Sequence, residues 1–170
     1  MFLIYNVICI MSLLLKDIAD GILCNGLDHL DQCEVTGVRF YREDNRVEMD
    51  LHNDSILPFA SYSGIAYQIE NITGSKTVIH VSCDHPAVNA GEIRNYLSYF
   101  ARIYPDYALV AENVFTYDSD KNTIRFLMND ELSLQQASAY LNGIEEYLKS
   151  IGCKDIHAEC VVKEPEQVQV

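Results

Sequence analysis

The feature that most constrains this chain is an order of elements written twice. Val114-Phe-Thr-Tyr117 and Thr123-Ile-Arg-Phe-Leu-Met128 are β-branched and aromatic runs, and the polar Asp118-Ser-Asp-Lys-Asn122 between them reads as a hairpin turn. Ser133, with Gln136 three residues on, forms a capping-box pattern that opens a helix predicted over 133–151. Along it Leu134, Ala137, Leu141, Ile144, Leu148 and Ile151 recur at three- and four-residue steps, one apolar stripe. Gly152 stands where a left-handed cap is wanted, and residues 155–161 follow as a strand. Earlier in the chain, the runs 38–41 and 46–51 flank another polar turn, and a helix begins near Pro58. Its apolar face is Phe59, Tyr62, Ala66, Ile69 and Ile72; Gly74 closes it, and residues 77–83 form the next strand. Tyr41 pairs with Tyr117, and Asn53-Asp54 with Asn129-Asp130, at an offset of 76 residues; His80 and Cys83 pair with His157 and Cys160 at 77. A common order at a nearly fixed offset predicts an internal duplication.

Between the copies, Asn89 with Glu92 three residues later signals a further helix start. Ile93, Tyr96, Leu97, Phe100, Ile103 and Tyr104 supply its buried side, and Pro105 ends it. The predicted fold class is therefore α+β: two ββαβ units joined by a helix, with mainly antiparallel sheets. At the N-terminus, residues 1–15 are nearly all apolar, but no basic residue precedes them and Lys16 is the first positive charge. A secretory signal would carry a basic start and a small-residue cleavage site, and the run is short for a membrane span. Residues 1–10 read as an upstream extension and 12–23 as a helix, and the expected compartment is the cytoplasm, with no membrane association. The polar segment 163–170, with Pro165, reads as a tail or linker. The domain division that follows is 1–21 for extension and helix, 22–88 for the first module, 89–162 for the second, and 163–170 for the tail.

Charge narrows the choice of partner. Twelve Lys and Arg against 25 Asp and Glu leave a net charge of −13, which repels phosphate instead of releasing counterions from it. Direct nucleic-acid binding is expected to be weak or absent. Six cysteines (Cys9, Cys24, Cys33, Cys83, Cys153, Cys160) show no CxxC pair and read as reduced, mostly buried thiols. His80, Cys83 and His85 are the one tight set of metal-ligand types, but on a strand His80 and Cys83 point to opposite faces. Asp118 with Asp120, and Asp130 with Glu131, sit where turns and helix starts favour carboxylates. Ser61-Tyr-Ser-Gly64 lacks the GxSxG frame, and Tyr96, Tyr99, Tyr104 and Tyr107 read as packing residues sooner than as a stacking platform for bases. No catalytic, cofactor-binding or metal-binding residue is assigned, no cofactor is expected, and the segment reads as non-enzymatic.

A family resemblance rests on three stretches. Val47-Glu-Met-Asp-Leu-His-Asn-Asp-Ser-Ile-Leu-Pro-Phe-Ala-Ser-Tyr62, Glu92-Ile-Arg-Asn-Tyr-Leu97 and the run from Asn122-Thr-Ile-Arg-Phe to Gly152 resemble, in one order, the N-terminal region of PolC-type DNA polymerase III, the Gram-positive replicative polymerase α subunit. The likeness spans roughly residues 22–162. The chain departs from the family pattern where Leu97 replaces a Trp and Gly152-Cys153 a Gly-Phe pair. The resemblance implies two modules, one similar to the C-terminal domain of the clamp-loader tau subunit and one KH-like. It also implies a role in DNA replication, contacts with replisome proteins including tau, and none of the polymerase or exonuclease motifs in this segment. The alternatives are a KH-like single-stranded nucleic-acid binder and a free-standing acidic interaction protein. A working KH module needs a GxxG loop, which the eight glycines here do not form.

The apolar stripe carries the first prediction. Leu148→Ala is expected to cost roughly 2–5 kcal/mol in a denaturant melt, as a core truncation does. A change within about 0.5 kcal/mol would place the stripe in water.

Overall fold

The computed structural model describes residues 13–14 and 33–163. The chain divides into two compact units, one of residues up to Ala87 with Ser150–Cys153, the other of Val88–Lys149 with the residues from Lys154 onward.

The first unit contains β1 (Leu13–Leu14), β2 (Glu34–Tyr41), β3 (Arg46–Ser55), α1 (Phe59–Thr73) and β4 (Lys76–His85). Its sheet runs β1-β2-β3-β4, antiparallel except for β3 and β4, which are parallel. Side chains alternate across a strand, so Val47, Met49 and Leu51 share one face with Thr77, Ile79, Val81 and Cys83, and all seven are buried. On α1, Tyr62, Ile65, Ala66 and Ile69 are buried; Ile72 in the last turn is exposed, and Ile65 stands in the stripe instead. Pro58 precedes the first turn, and Gly74 at φ 68° ends the helix in the left-handed conformation that glycine adopts without a Cβ clash. The helix expected over 12–23 is corrected at Leu13–Leu14, which forms a strand along β2. Pairing there satisfies backbone groups that β2 would otherwise leave open at an edge. The rest of that expected helix, residues 1–10 and the tail beyond Lys163 lie outside the described residues.

The second unit contains α2 (Ala90–Ile103), a 3-10 turn (Pro105–Tyr107), α3 (Ala108–Ala111), β5 (Phe115–Asp118), β6 (Thr123–Met128), α4 (Glu131–Ser138), α5 (Leu141–Ser150) and β7 (His157–Val162). Asn89 caps α2, its side chain accepting the Glu92 N–H at 2.9 Å, as its spacing predicts. β5 and β6 are antiparallel, and β7 lies parallel to β6 on its other side. Ile124, Phe126 and Met128 face the core. The single helix expected over 133–151 is two helices. Asp130, not Ser133, is the N-cap, and the ladder breaks at Ala139–Tyr140, where the Tyr140 N–H bonds back three residues to Ala137. The stripe survives the break: Ala137, Ile144, Leu148 and Ile151 are buried, while Leu134 and Leu141 are half-buried.

The α+β architecture of two ββαβ units is thus the one the sequence predicts, and both copies place the last strand parallel to the second hairpin strand. Two shared devices close them. The hairpin turn ends on an asparagine with positive φ, Asn45 at 45° and Asn122 at 48°. Its carbonyl accepts the N–H of the first residue of the last strand, Lys76 in one unit and His157 in the other, each at 3.0 Å. Its Nδ2 donates to the loop before that strand, to the Gly74 carbonyl at 2.9 Å and the Lys154 carbonyl at 2.7 Å. Its Oδ1 accepts a hydroxyl, from Ser75 at 3.0 Å and from Tyr117 at 2.8 Å. The second device acts one residue later, where the N–H points to the outer edge. The Thr77 N–H is taken by Glu70 Oε1 at 3.3 Å and the Ala158 N–H by Glu145 Oε1 at 2.8 Å.

These anchors correct the residue pairing expected between the copies. The hairpins close on Tyr41 with Arg46 and on Asp118 with Thr123, so Tyr41 corresponds to Asp118 and Tyr117 to Phe40. His157 corresponds to Lys76, not His80, because each opens its strand beside the asparagine. Counting on from that anchor, Val161 takes the place of His80, and the counterpart of Cys83 falls past the end of β7. The spacing from asparagine to strand is 31 residues in the first unit and 35 in the second, and the second holds the extra helix break. A one-residue slip turns a strand side chain to the other face, so offsets taken from identical residues misassign faces.

Asn45→Ala is expected to lower stability by about 1–3 kcal/mol, from left-handed strain plus lost hydrogen bonds. Asn45→Gly relieves the strain and should cost less. Equal losses for the two variants in urea melts would mean that the backbone conformation contributes nothing.

Candidate interaction surface

The face of the first sheet opposite α1 is built from charges at period two. Arg46, Glu48, Asp50 and His52 on β3 share that face with Arg39 and Tyr41 on β2 and with Val78, His80 and Ser82 on β4, of which Val78 is apolar and buried. The Arg39 guanidinium forks onto Asp50, with one bond from Nη1 and a second from Nη2 at 2.8 Å, and Nε lies 3.6 Å from Glu48. Hydrogen bonding to Asp50 is the main cause that raises the Arg39 pKa. Glu48 also meets Arg46 Nη2 at 3.1 Å and His80 Nε2 at 3.6 Å, so a single carboxylate ties three strands together. Arg46 lies over the Tyr41 ring at 4.7 Å. A bulge between Val35 and Gly37 sets this register, and Gly37 stands opposite Asp50. A Cβ on Gly37 would come 2.8 Å from Asp50 Oδ2, so the missing side chain leaves the carboxylate free to reach Arg39.

The second sheet repeats the arrangement with fewer charges. Arg125 on β6 bonds Glu159 directly across on β7, and this contact is the main cause that raises the Arg125 pKa. In the same unit Arg94 leaves α2 to donate to the Ala111 carbonyl at 3.1 Å and the Asn113 carbonyl at 2.6 Å, and it lies over Phe115 at 4.3 Å. Lys149 pairs with Glu145 one helical turn away at 3.3 Å. Arg39, Arg46, Arg125, Lys149 and Arg94 are therefore engaged within the molecule and do not form an open basic face.

The residues that sequence reasoning weighed as chemistry fall into structural places. His80 lies on the charged face, Cys83 in the core, and His85 at the strand end 2.9 Å from Asp54. Among the described residues, no group of three or more His, Cys, Asp and Glu is arranged to hold a metal ion. Asp118 Oδ1 accepts the N–H groups of Asp120 at 3.1 Å and Lys121 at 3.2 Å, which fastens the hairpin turn. Asp130 caps α4 through the Ser133 N–H at 2.7 Å. Glu131 is exposed in that helix's first turn, and Ser61 and Ser63 lie along α1. Tyr96 and Tyr99 are buried, while Tyr104 and Tyr107 join Phe100, Tyr140 and Tyr147 in a ring cluster whose closest pair, Phe100 and Tyr147, stacks at 4.2 Å. Gly143 on α5 makes room for the Tyr107 ring, which any Cβ there would overlap. Cys33, Cys83, Cys153 and Cys160 are free thiols, and burial pushes Cys33 up to about 11 and Cys153 up to about 12. Cys9 and Cys24 lie outside the described residues.

The charged ladder, absent from the sequence-based expectations, has its signal in the alternation Arg46-x-Glu48-x-Asp50-x-His52. A strand with apolar residues on one face and charges on the other is half-buried by that pattern alone. Among the described residues, no helix is long and apolar enough to cross a membrane. Neither a model of a known protein family nor a curated protein matches the chain.

Two outcomes test the electrostatic account. Glu48→Gln keeps the shape but removes the charge shared by Arg39, Arg46 and His80, and is expected to cost about 1–2 kcal/mol in a urea melt at low salt. A loss below about 0.3 kcal/mol would mean the ladder is merely solvated. The Asp130 carboxyl is held below its usual range chiefly by the Ser133 N–H. Its folded pKa lies below the unfolded value, so its contribution is complete above about pH 4 and is lost as pH falls through the lowered pKa. Asp130→Ala should melt earlier than the parent protein at neutral pH, and the gap should close in acid; a pH-independent gap would contradict the assignment.

Proposed function

We propose that the chain is a non-catalytic protein–protein interaction region of a PolC-type replicative DNA polymerase III, acting in the cytoplasm as an adaptor within the replisome. The observation that carries this reading is the sequence resemblance over residues 22–162, and the succession of two ββαβ units is compatible with it. The charge distribution supports a protein partner over a nucleic acid. Binding phosphate depends on cations that release counterions, and Arg39, Arg46 and Arg125 already face carboxylates. The clamp-loader tau subunit is the partner that the resemblance names.

One observation bears on the KH-like alternative for the second unit. α4 and α5 form a helix pair joined at Ala139–Tyr140, the place where a KH module carries its GxxG loop. That joint contains no glycine, and Tyr140 there packs edge-on against Tyr107 at 5.4 Å. A backbone-gripping loop needs the close approach that glycine permits, so the joint fits packing better than phosphate contact.

Fluorescence anisotropy with the purified chain separates the readings. Saturable binding to the tau subunit is expected, with little or no binding to labelled single-stranded DNA at about 150 mM salt. Submicromolar DNA binding without tau binding would overturn the adaptor reading in favour of the KH-like one.

A further inference from the structure

We draw no further inference here: the strongest candidate, the outer edge of β7 in the second unit, is a strand edge on which an extended peptide could pair, but nothing in the structure shows what covers it.

Discussion

In each unit a parallel strand must find its place beside a hairpin, and one asparagine provides the reference point. Antiparallel strands inherit their register from the turn that joins them. A parallel strand returns after a helix and has no such turn. Asn45 and Asn122 solve this by lying in the hairpin turn, where the backbone carbonyl takes the first N–H of the arriving strand and the side-chain amide holds the loop before it. The left-handed conformation costs most side chains about 1–2 kcal/mol, and asparagine tolerates it best among residues with an amide to offer. Glycine would turn as easily but would lack both amide contacts.

Once the register is set, the two faces of each sheet separate by chemistry. Burying a Leu, Ile or Phe contributes about 1.5–3 kcal/mol, whereas an exposed ion pair contributes about 0–1 kcal/mol. The apolar face therefore carries the stability, through Val47, Met49, Leu51 and Ile79 in one unit and Ile124, Phe126 and Met128 in the other. The charged face instead penalises the wrong pairing: a slipped strand would bury Glu48 or Arg125 and expose the core. The glutamates Glu70 and Glu145 add a guard at the outer edge, occupying an N–H that an incoming strand would use.

Periodicity made the elements legible, and the anchors stayed hidden. Three- and four-residue steps exposed the stripe through Ile144 and Leu148, and the Asn89 and Gly74 signals located helix ends correctly. The break at Ala139–Tyr140 was invisible because neither residue disfavours helix strongly, so tertiary packing decides it. Asp130 won the cap from Ser133 because it lies three residues earlier, where its carboxylate reaches the Ser133 N–H. The repeated order of elements was legible, but identical residues such as Tyr41 and Tyr117 gave a misleading alignment. The true equivalence rests on Asn45 and Asn122, polar turn residues that composition alone does not single out. The charged face was legible as the alternation Arg46-x-Glu48-x-Asp50-x-His52, but which charges pair across strands was not, because that requires the register.

The most direct test of the common closure is amide hydrogen exchange measured by NMR on the unmodified protein. The account predicts that Lys76, Thr77, His157 and Ala158 are all protected well above the loop amides of Lys154 and Asp155, because each donates to a turn asparagine or a helix glutamate. Protection at Lys76 and Thr77 with free exchange at His157 and Ala158, or the reverse, would show that the two units are not closed in the same way.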